Sequence, residues 1–344
     1  MAWLAAGLTS LRAADEPAEP LFPIYLQDKG CSGFVDAKGK MIFETERGEA
    51  FPFSEDLALF REDHEQALRP GEAHPETVSF YGFIDRAGKM VIPTKFDSAL
   101  AFSEGLAAAA FAQWGYLDAG GRWAIAPAYQ DAQSFFEGLA AVQKDGRWGF
   151  IDKKGAAVIP FQFDKASPFS EGLAAVRNDM EQWGYIDRQG AVVIEPAYYD
   201  CQPFSEGLAL ARKVGENWSY LDHAGKVVIP AQYIEAQSFQ EGLAAVHIGT
   251  HWGYIDPQGK LTIPARFDEA QSFSEGLAAV WFKEAYGYID KSGNFVIPPQ
   301  YASAGPFDQG LAPVETLGDQ AQEGYIDRAG HWVWRQKHVE AEGL

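Results

Sequence analysis

An aspartate followed three residues later by glycine recurs nine times: Asp36, Asp85, Asp118, Asp152, Asp187, Asp222, Asp256, Asp290 and Asp327. Successive intervals are 49, 33, 34, 35, 35, 34, 34 and 37 residues. A period near 34 constrains the fold more than any other feature. A unit that short cannot bury its apolar surface alone, so neighbouring copies must cover one another. Length alone, 344 residues, would suggest two domains; the repeat overrides that expectation. The 49-residue interval holds an insertion of 49 − 34 = 15 residues within Arg61–Phe80, a charged and turn-rich stretch.

Each slot of the repeat has a local meaning. In Trp148-Gly149-Phe150-Ile151-Asp152-x-x-Gly155 a strand enters a tight turn, with aspartate at its first position and glycine at its fourth. Val158-Ile159 starts the return strand, and Pro160 ends its ladder because proline has no N–H to give. Leu173-Ala174-Ala175-Val176 supplies a third strand leading to the next Trp-Gly. Both faces of these strands carry apolar bulk, so both are expected to be covered. The glycine after the aromatic lets a ring or backbone approach closely. Phe-Ser-Glu-Gly-Leu, as at Phe169–Leu173, is a turn anchored by Phe and Leu. The expected fold is all-β: about nine three-stranded antiparallel units in a curved or superhelical, solenoid-like array. The alternative is a closed β-propeller, whose blades usually have four strands where only three can be placed.

These residues closely resemble the WG-repeat family, the bacterial β-repeat named for its Trp-Gly pair. The pair stands at Trp114-Gly115, Trp148-Gly149, Trp183-Gly184 and Trp252-Gly253. Tyr81-Gly82 and Tyr286-Gly287 replace the tryptophan, and Trp218-Ser219 replaces the glycine. The resemblance runs from Cys31 to Trp334. It implies a repeat scaffold, often in exported or envelope proteins, with no shared catalytic residues to carry over.

The chain divides into 1–14, 15–30 as a linker or cap, the array at 31–335, and a tail at 336–344. Residues 1–14 read as the remnant of a signal peptide, with an apolar stretch Ala2–Leu11 but no basic start. The alternative for this end is a frayed terminus or a short docked helix. The expected location is therefore periplasmic or otherwise exported, with the cytoplasm as the alternative. Against 48 Asp+Glu there are 28 Lys+Arg, a net charge of −20. Such a surface repels phosphate, which argues against nucleic acid and toward a basic protein partner. No apolar run reaches the ~18 residues of a spanning helix. Cys201 stands in a slot that is Ala132, Ala166 or Ala270 elsewhere, and reads as a small buried hydrophobe. Its pairing with Cys31, about five repeats away, would require a closed ring.

No catalytic residue, cofactor or metal site is assigned. The nine aspartates read as turn residues, since calcium needs six to eight clustered oxygens. The glutamates at Glu104, Glu137, Glu171, Glu206, Glu241 and Glu275 read as solvated surface or local backbone acceptors. His247 and His251 lack a third ligand. His64 and His74 lie among acids in the insertion and are candidate partner-binding residues. Trp281 and Phe282, where other copies are polar, are two more; core variation is the competing reading. The leading function is a non-catalytic scaffold for protein–protein contact in the cell envelope. A cell-wall glycan module using exposed aromatics is the alternative. An enzyme with its site at 61–80, drawing on His64, Ser79 and Asp85, comes third.

Overall fold

The computed structural model describes residues 19–65 and 77–336. Thirty-three strands and no helix occur among these residues. The strands form small antiparallel meanders, in which sequence neighbours pair. We number them in chain order as sheets 1 to 9, spanning 21–44, 49–96, 98–129, 131–163, 165–198, 200–233, 244–267, 269–301 and 301–335. The strand Phe295–Ala304 runs from sheet 8 into sheet 9, so those two share one ladder of seven strands.

Sheet 4 shows how a repeat folds. Its strands are Asp131–Ala132, Leu139–Lys144, Arg147–Asp152 and Ala157–Phe163, paired in that order. At the turn, Asp152 Oδ1 accepts the N–H groups of Lys154 and Ala156, each at 2.9 Å. Gly155 N–H donates to the Asp152 carbonyl at 2.9 Å, closing the expected turn. A Cβ on Gly149 would lie 2.7 Å from the Ile159 carbonyl oxygen. It would also lie 2.8 Å from the Phe161 ring, so this Trp-Gly glycine admits both backbone and a ring. Here the ladder skips from Phe163 opposite Trp148 to Ile159 opposite Phe150, and the bulged strand crowds inward. Ser219, the one serine in this slot, is buried and donates to the Ala211 carbonyl at 2.8 Å.

Adjacent sheets pack face to face. Trp148, Phe150 and Ile159 of sheet 4 meet Phe169, Val176 and Ile186 of sheet 5 in one apolar layer. The Phe169 ring sits 4.9 Å from that of Phe150. This contact recurs as Tyr116–Phe135, Tyr185–Phe204, Tyr220–Phe239, Tyr254–Phe273 and Tyr288–Phe307. Cys31 and Cys201 are buried free thiols. Burial pushes the Cys201 thiol up to about 12, as expected of a small apolar filler.

The structure adds a strand to the expected three. Pairs such as Asp131–Ala132 and Lys165–Ala166 form a two-residue first strand against the end of the second, with Ala132 opposite Val142. Two residues are too few to leave an alternating signature. Leu21–Leu26, inside the segment read as linker or cap, is the first described strand of sheet 1.

The curved array returns on itself. Tyr116, Tyr185, Tyr220, Tyr254 and Tyr288 each donate a hydroxyl hydrogen bond to a carbonyl of the next sheet. Tyr325 of sheet 9 likewise donates to a carbonyl of sheet 1, that of Pro23 in the strand Leu21–Leu26, at 2.7 Å. Its ring meets Phe22 at 5.4 Å. Likewise each turn glycine abuts the preceding sheet, Gly155 on Ile125 and Gly190 on Ile159, and Gly39 abuts Val333 of sheet 9. Sheet 9 thus packs against sheet 1 as each sheet packs against its successor, with the Phe22 ring on Tyr325 where other junctions use a turn phenylalanine. These contacts give the array the closed arrangement considered as the alternative.

Candidate functional site

The glutamate column proves to be part of the framework. In Ser170-Glu171-Gly172-Leu173 the outer residues exchange two backbone hydrogen bonds, at 2.9 and 3.1 Å. The two central residues both have positive φ, 53° and 81°, the geometry of a type I′ hairpin. A left-handed glutamate costs about 1–2 kcal/mol. Its carboxylate offsets that by accepting the glycine N–H of the next sheet: Glu104 from Gly138, Glu137 from Gly172, Glu171 from Gly207 and Glu206 from Gly242. The serine donates to the next sheet as well, Ser170 to the Phe204 carbonyl at 2.7 Å. Burial pushes the Glu104 and Glu241 carboxyls up, but bonds from Lys153 and Lys291 and from glycine N–H groups outweigh it, leaving both below the usual carboxylate range. The acceptor role expected of this column holds, but it acts between repeats rather than locally.

With both carboxylate columns occupied by structure, sheet 2 stands apart. Its middle strands, Leu57–Glu65 and Thr77–Asp85, have nine residues each. Their counterparts in sheet 5, Leu173–Arg177 and Trp183–Asp187, have five. The insertion thus lengthens one hairpin; residues 66–76, with His74, lie outside the described residues.

At the hairpin's base sits Glu62, the one buried charged side chain among the described residues. It receives hydrogen bonds from Thr94 Oγ1 at 2.7 Å and Arg47 Nε at 3.2 Å, and His64 Nε2 lies 3.5 Å away. Burial pushes its carboxyl up; the Thr94, Arg47 and His64 contacts overcome this and the net shift is down, so Glu62 stays ionised. Beside it Arg61 bridges Glu49 at 2.8 Å and Asp63 at 3.3 Å. Ser79 bonds Asp63 at 2.7 Å, and the His64 ring lies 5.6 Å from Phe80. Two cavities of about 460 and 400 Å³ flank the cluster, both lined by Arg47 and Glu62. The arrangement offers fixed charges of both signs at the root of a projecting hairpin.

The other candidates are placed as follows. Ser79, His64 and Asp85 do not form a relay: Ser79 bonds Asp63, His64 faces Glu62, and Asp85 accepts from Ala87 and Lys89 within its own turn. Trp281 is half-buried, edge-on to Tyr286 at 4.9 Å. Phe282 packs on Phe267 and Phe295 at 6.2 and 5.7 Å. His247 leans on Trp252, while His251 lies 3.9 Å from Asp268. No cluster of three metal-ligating side chains occurs among the described residues. Sequence reasoning missed Arg47, Glu62 and Thr94. The available signal was Glu62 itself, in a slot that is Lys144, Asn178 or Lys213 in other copies.

Fold and framework define a class: an all-β tandem-repeat protein whose conserved-looking polar columns join one repeat to the next. Eight segments, 33–63, 81–110, 114–148, 148–179, 183–217, 218–249, 252–280 and 286–318, match the WG containing repeat, and the chain belongs to that family. A search of characterised protein sequences gives no match. Among solved structures the chain is similar to a eukaryotic initiation factor, at 10% identity and a TM-score of 0.62, covering 92% of this chain and 96% of the other. It is more distantly similar to BamB from Moraxella catarrhalis, at 9% identity and a TM-score of 0.41, covering 78% and 91%. Identities this low speak to fold alone.

Proposed function

We propose that this chain is a non-catalytic scaffold in the cell envelope that holds a protein partner at the sheet 2 hairpin. The observation that supports this most is the bracket at Glu62. A buried carboxylate fixed by Thr94, Arg47 and His64 stiffens the root of the longest hairpin, and rigid projecting hairpins suit docking. The net charge of −20 favours a partner with a basic face.

A cell-wall glycan ligand is the second reading, with Trp281 and Phe282 as the contacts. Their rings already pack on Tyr286, Phe267 and Phe295, which leaves less ring face for a sugar, so protein contact is preferred. The test is affinity capture from envelope extract with the chain from Asp15 onward, beside an Asp63→Lys, His64→Glu variant of equal thermal stability. The scaffold reading expects a protein held by the first bait, released by salt and absent from the second. Identical capture by both baits would remove the hairpin from the reading. Cosedimentation with purified wall that survives salt would favour the glycan instead.

A further inference from the structure

The residue before each Trp of the Trp-Gly slot sits beside the residue 17 positions on. The two flank paired positions of the ladder: Trp148 with Phe163, Trp183 with Tyr198, Trp218 with Tyr233 and Trp252 with Phe267. In sheets 4 and 7 this site holds opposite charges. Arg147 bridges Asp164 at 2.5 Å, and His251 lies 3.9 Å from Asp268. In the two sheets between, both partners are exchanged: Gln182 and Tyr199 stand at sheet 5, Asn217 and Ile234 at sheet 6. Tyr199 and Ile234 are 59% and 62% exposed. Two adjacent copies thus place an apolar side chain in water where their neighbours place an ion pair, and apolar surface left in water gains nothing from folding.

The hairpin tips of the same two sheets depart in parallel. Five residues separate Arg177 from Trp183 and Arg212 from Trp218, against four between Gln143 and Trp148 or His247 and Trp252. The longer tips present Met180 and Val214, 79% and 82% exposed. Asn178 Oδ1 accepts the N–H groups of Met180 and Gln182, each at 3.0 Å, so the methionine is held outward on an ordered turn. Tyr199 N–H donates to the Arg212 carbonyl at 2.9 Å. The Arg212 guanidinium lies 5.5 Å from the Tyr199 ring centre and 4.6 Å from that of Trp218. This stack ties the connector between sheets 5 and 6 to the root of the Val214 tip. Met180, Tyr199, Val214 and Ile234 are the four most exposed large apolar side chains among the described residues, and they occupy neighbouring tips and connectors. Apolar residues exposed singly need no explanation; a group of them inside a polar rim marks an interaction surface.

The rim sets the charge of what binds. It carries Glu181, Asp200, Glu216 and Glu235 against Arg212 and Lys213, and Arg212 is already engaged by Asp200 at 3.2 Å. A second copy of this chain would bring the same acidic rim and its own net charge of −20, which like-charge repulsion opposes.

We propose that the tips and connectors of sheets 5 and 6 form a docking surface, separate from the sheet 2 hairpin, for a basic amphipathic segment of a partner protein. Its apolar side chains rest on Met180, Tyr199, Val214 and Ile234, and its Lys or Arg residues face Glu181, Glu216 and Glu235. Tyr199, a ring braced by Arg212, is the central anchor.

The test restores what the neighbouring copies carry. A Gln182→Arg, Tyr199→Asp, Asn217→Arg, Ile234→Asp variant of the full chain rebuilds the ion pair in both sheets. Two cations and two anions enter together, so the net charge is unchanged and lost binding is not a charge effect. A random dodecapeptide library is selected on the parent, and the recovered peptides are measured on both chains by fluorescence anisotropy. The proposal expects sequences that join apolar residues to Lys or Arg, bound roughly tenfold or more tightly by the parent. They should slow amide exchange at residues 178–182, 199–200 and 213–217. Peptides that both chains bind equally overturn the site, as does a selection that recovers none. Recovered peptides lacking Lys and Arg overturn the partner's chemistry. Dimers of the parent in sedimentation velocity, absent from the variant, would give the surface to a second copy and overturn the proposal too. If the quadruple variant fails to fold, Met180→Asn, Val214→Asn, which alters only exposed tips, takes its place in each measurement.

Discussion

Ring closure can be tested with two alanines in one sheet. Gly30 and Gly39 both lie in turns of sheet 1, with φ of +61° and +77°. Alanine at either position must adopt the left-handed region, at about 1–2 kcal/mol. Their surroundings differ. A Cβ at Gly30 meets nothing within 4 Å, whereas at Gly39 it would lie 2.0 Å from the Val333 carbonyl oxygen and 2.9 Å from its carbon. Val333 belongs to sheet 9, in the strand Trp332–Arg335, at a bulge between the paired residues Trp332 and Trp334. The atoms met are therefore not the free end of a flexible side chain, and relief requires one sheet to move off the other. Overpacking of this kind costs about 1–3 kcal/mol. Gly39→Ala should exceed Gly30→Ala by that amount, about 2–6 °C in Tm at roughly 2 °C per kcal/mol for a chain this long. The assay is urea and thermal unfolding followed by circular dichroism. Equal losses would show that sheet 9 does not rest on sheet 1 in solution, and the closure argument would fail.

Three further outcomes follow from the same contacts. Phe169→Ala removes a ring that is 3% exposed and packed on Phe150; a loss of about 3–5 kcal/mol is expected, and an unchanged urea midpoint would exclude it from the core. Glu104 and Glu241 have folded-state pKa values below their ordinary 4.5. Their contribution is therefore present above pH 4.5 and lost as the pH falls through the lower folded values. The Glu104→Gln, Glu241→Gln variant should thus lose less stability than the parent on acidification through that window, and parallel pH profiles would refute the role. Titration with a thiol reagent at neutral pH should find no reactive cysteine in the native chain and two after unfolding, since both thiols are buried; immediate reaction at Cys201 would contradict its buried, protonated state.

Much of the unit was legible because its determinants are local. Asp152 and Gly155 satisfy their own turn, and any such turn leaves the same two letters at the same spacing. The Phe anchors were legible because burial selects residue type wherever it occurs. The two-residue first strands were not, for they are defined only by the ladder they join. The Glu62 bracket draws on Arg47, Glu62 and Thr94, separated by 15 and 32 residues, and no short motif spans such gaps.

By itself the sequence determined the period, the β class, the turns and the apolar layers, because each rests on residue type and short spacing. Only the tertiary structure decided what the polar columns do and where the array ends. A glutamate that binds the next repeat and one that faces water look alike when every copy carries it, because the donor it meets is a backbone N–H with no letter of its own. Closure depends on the small rotation between successive sheets summed around the array, a quantity that no single repeat encodes. It becomes visible in Tyr325 reaching the Pro23 carbonyl and in Gly39 resting on Val333.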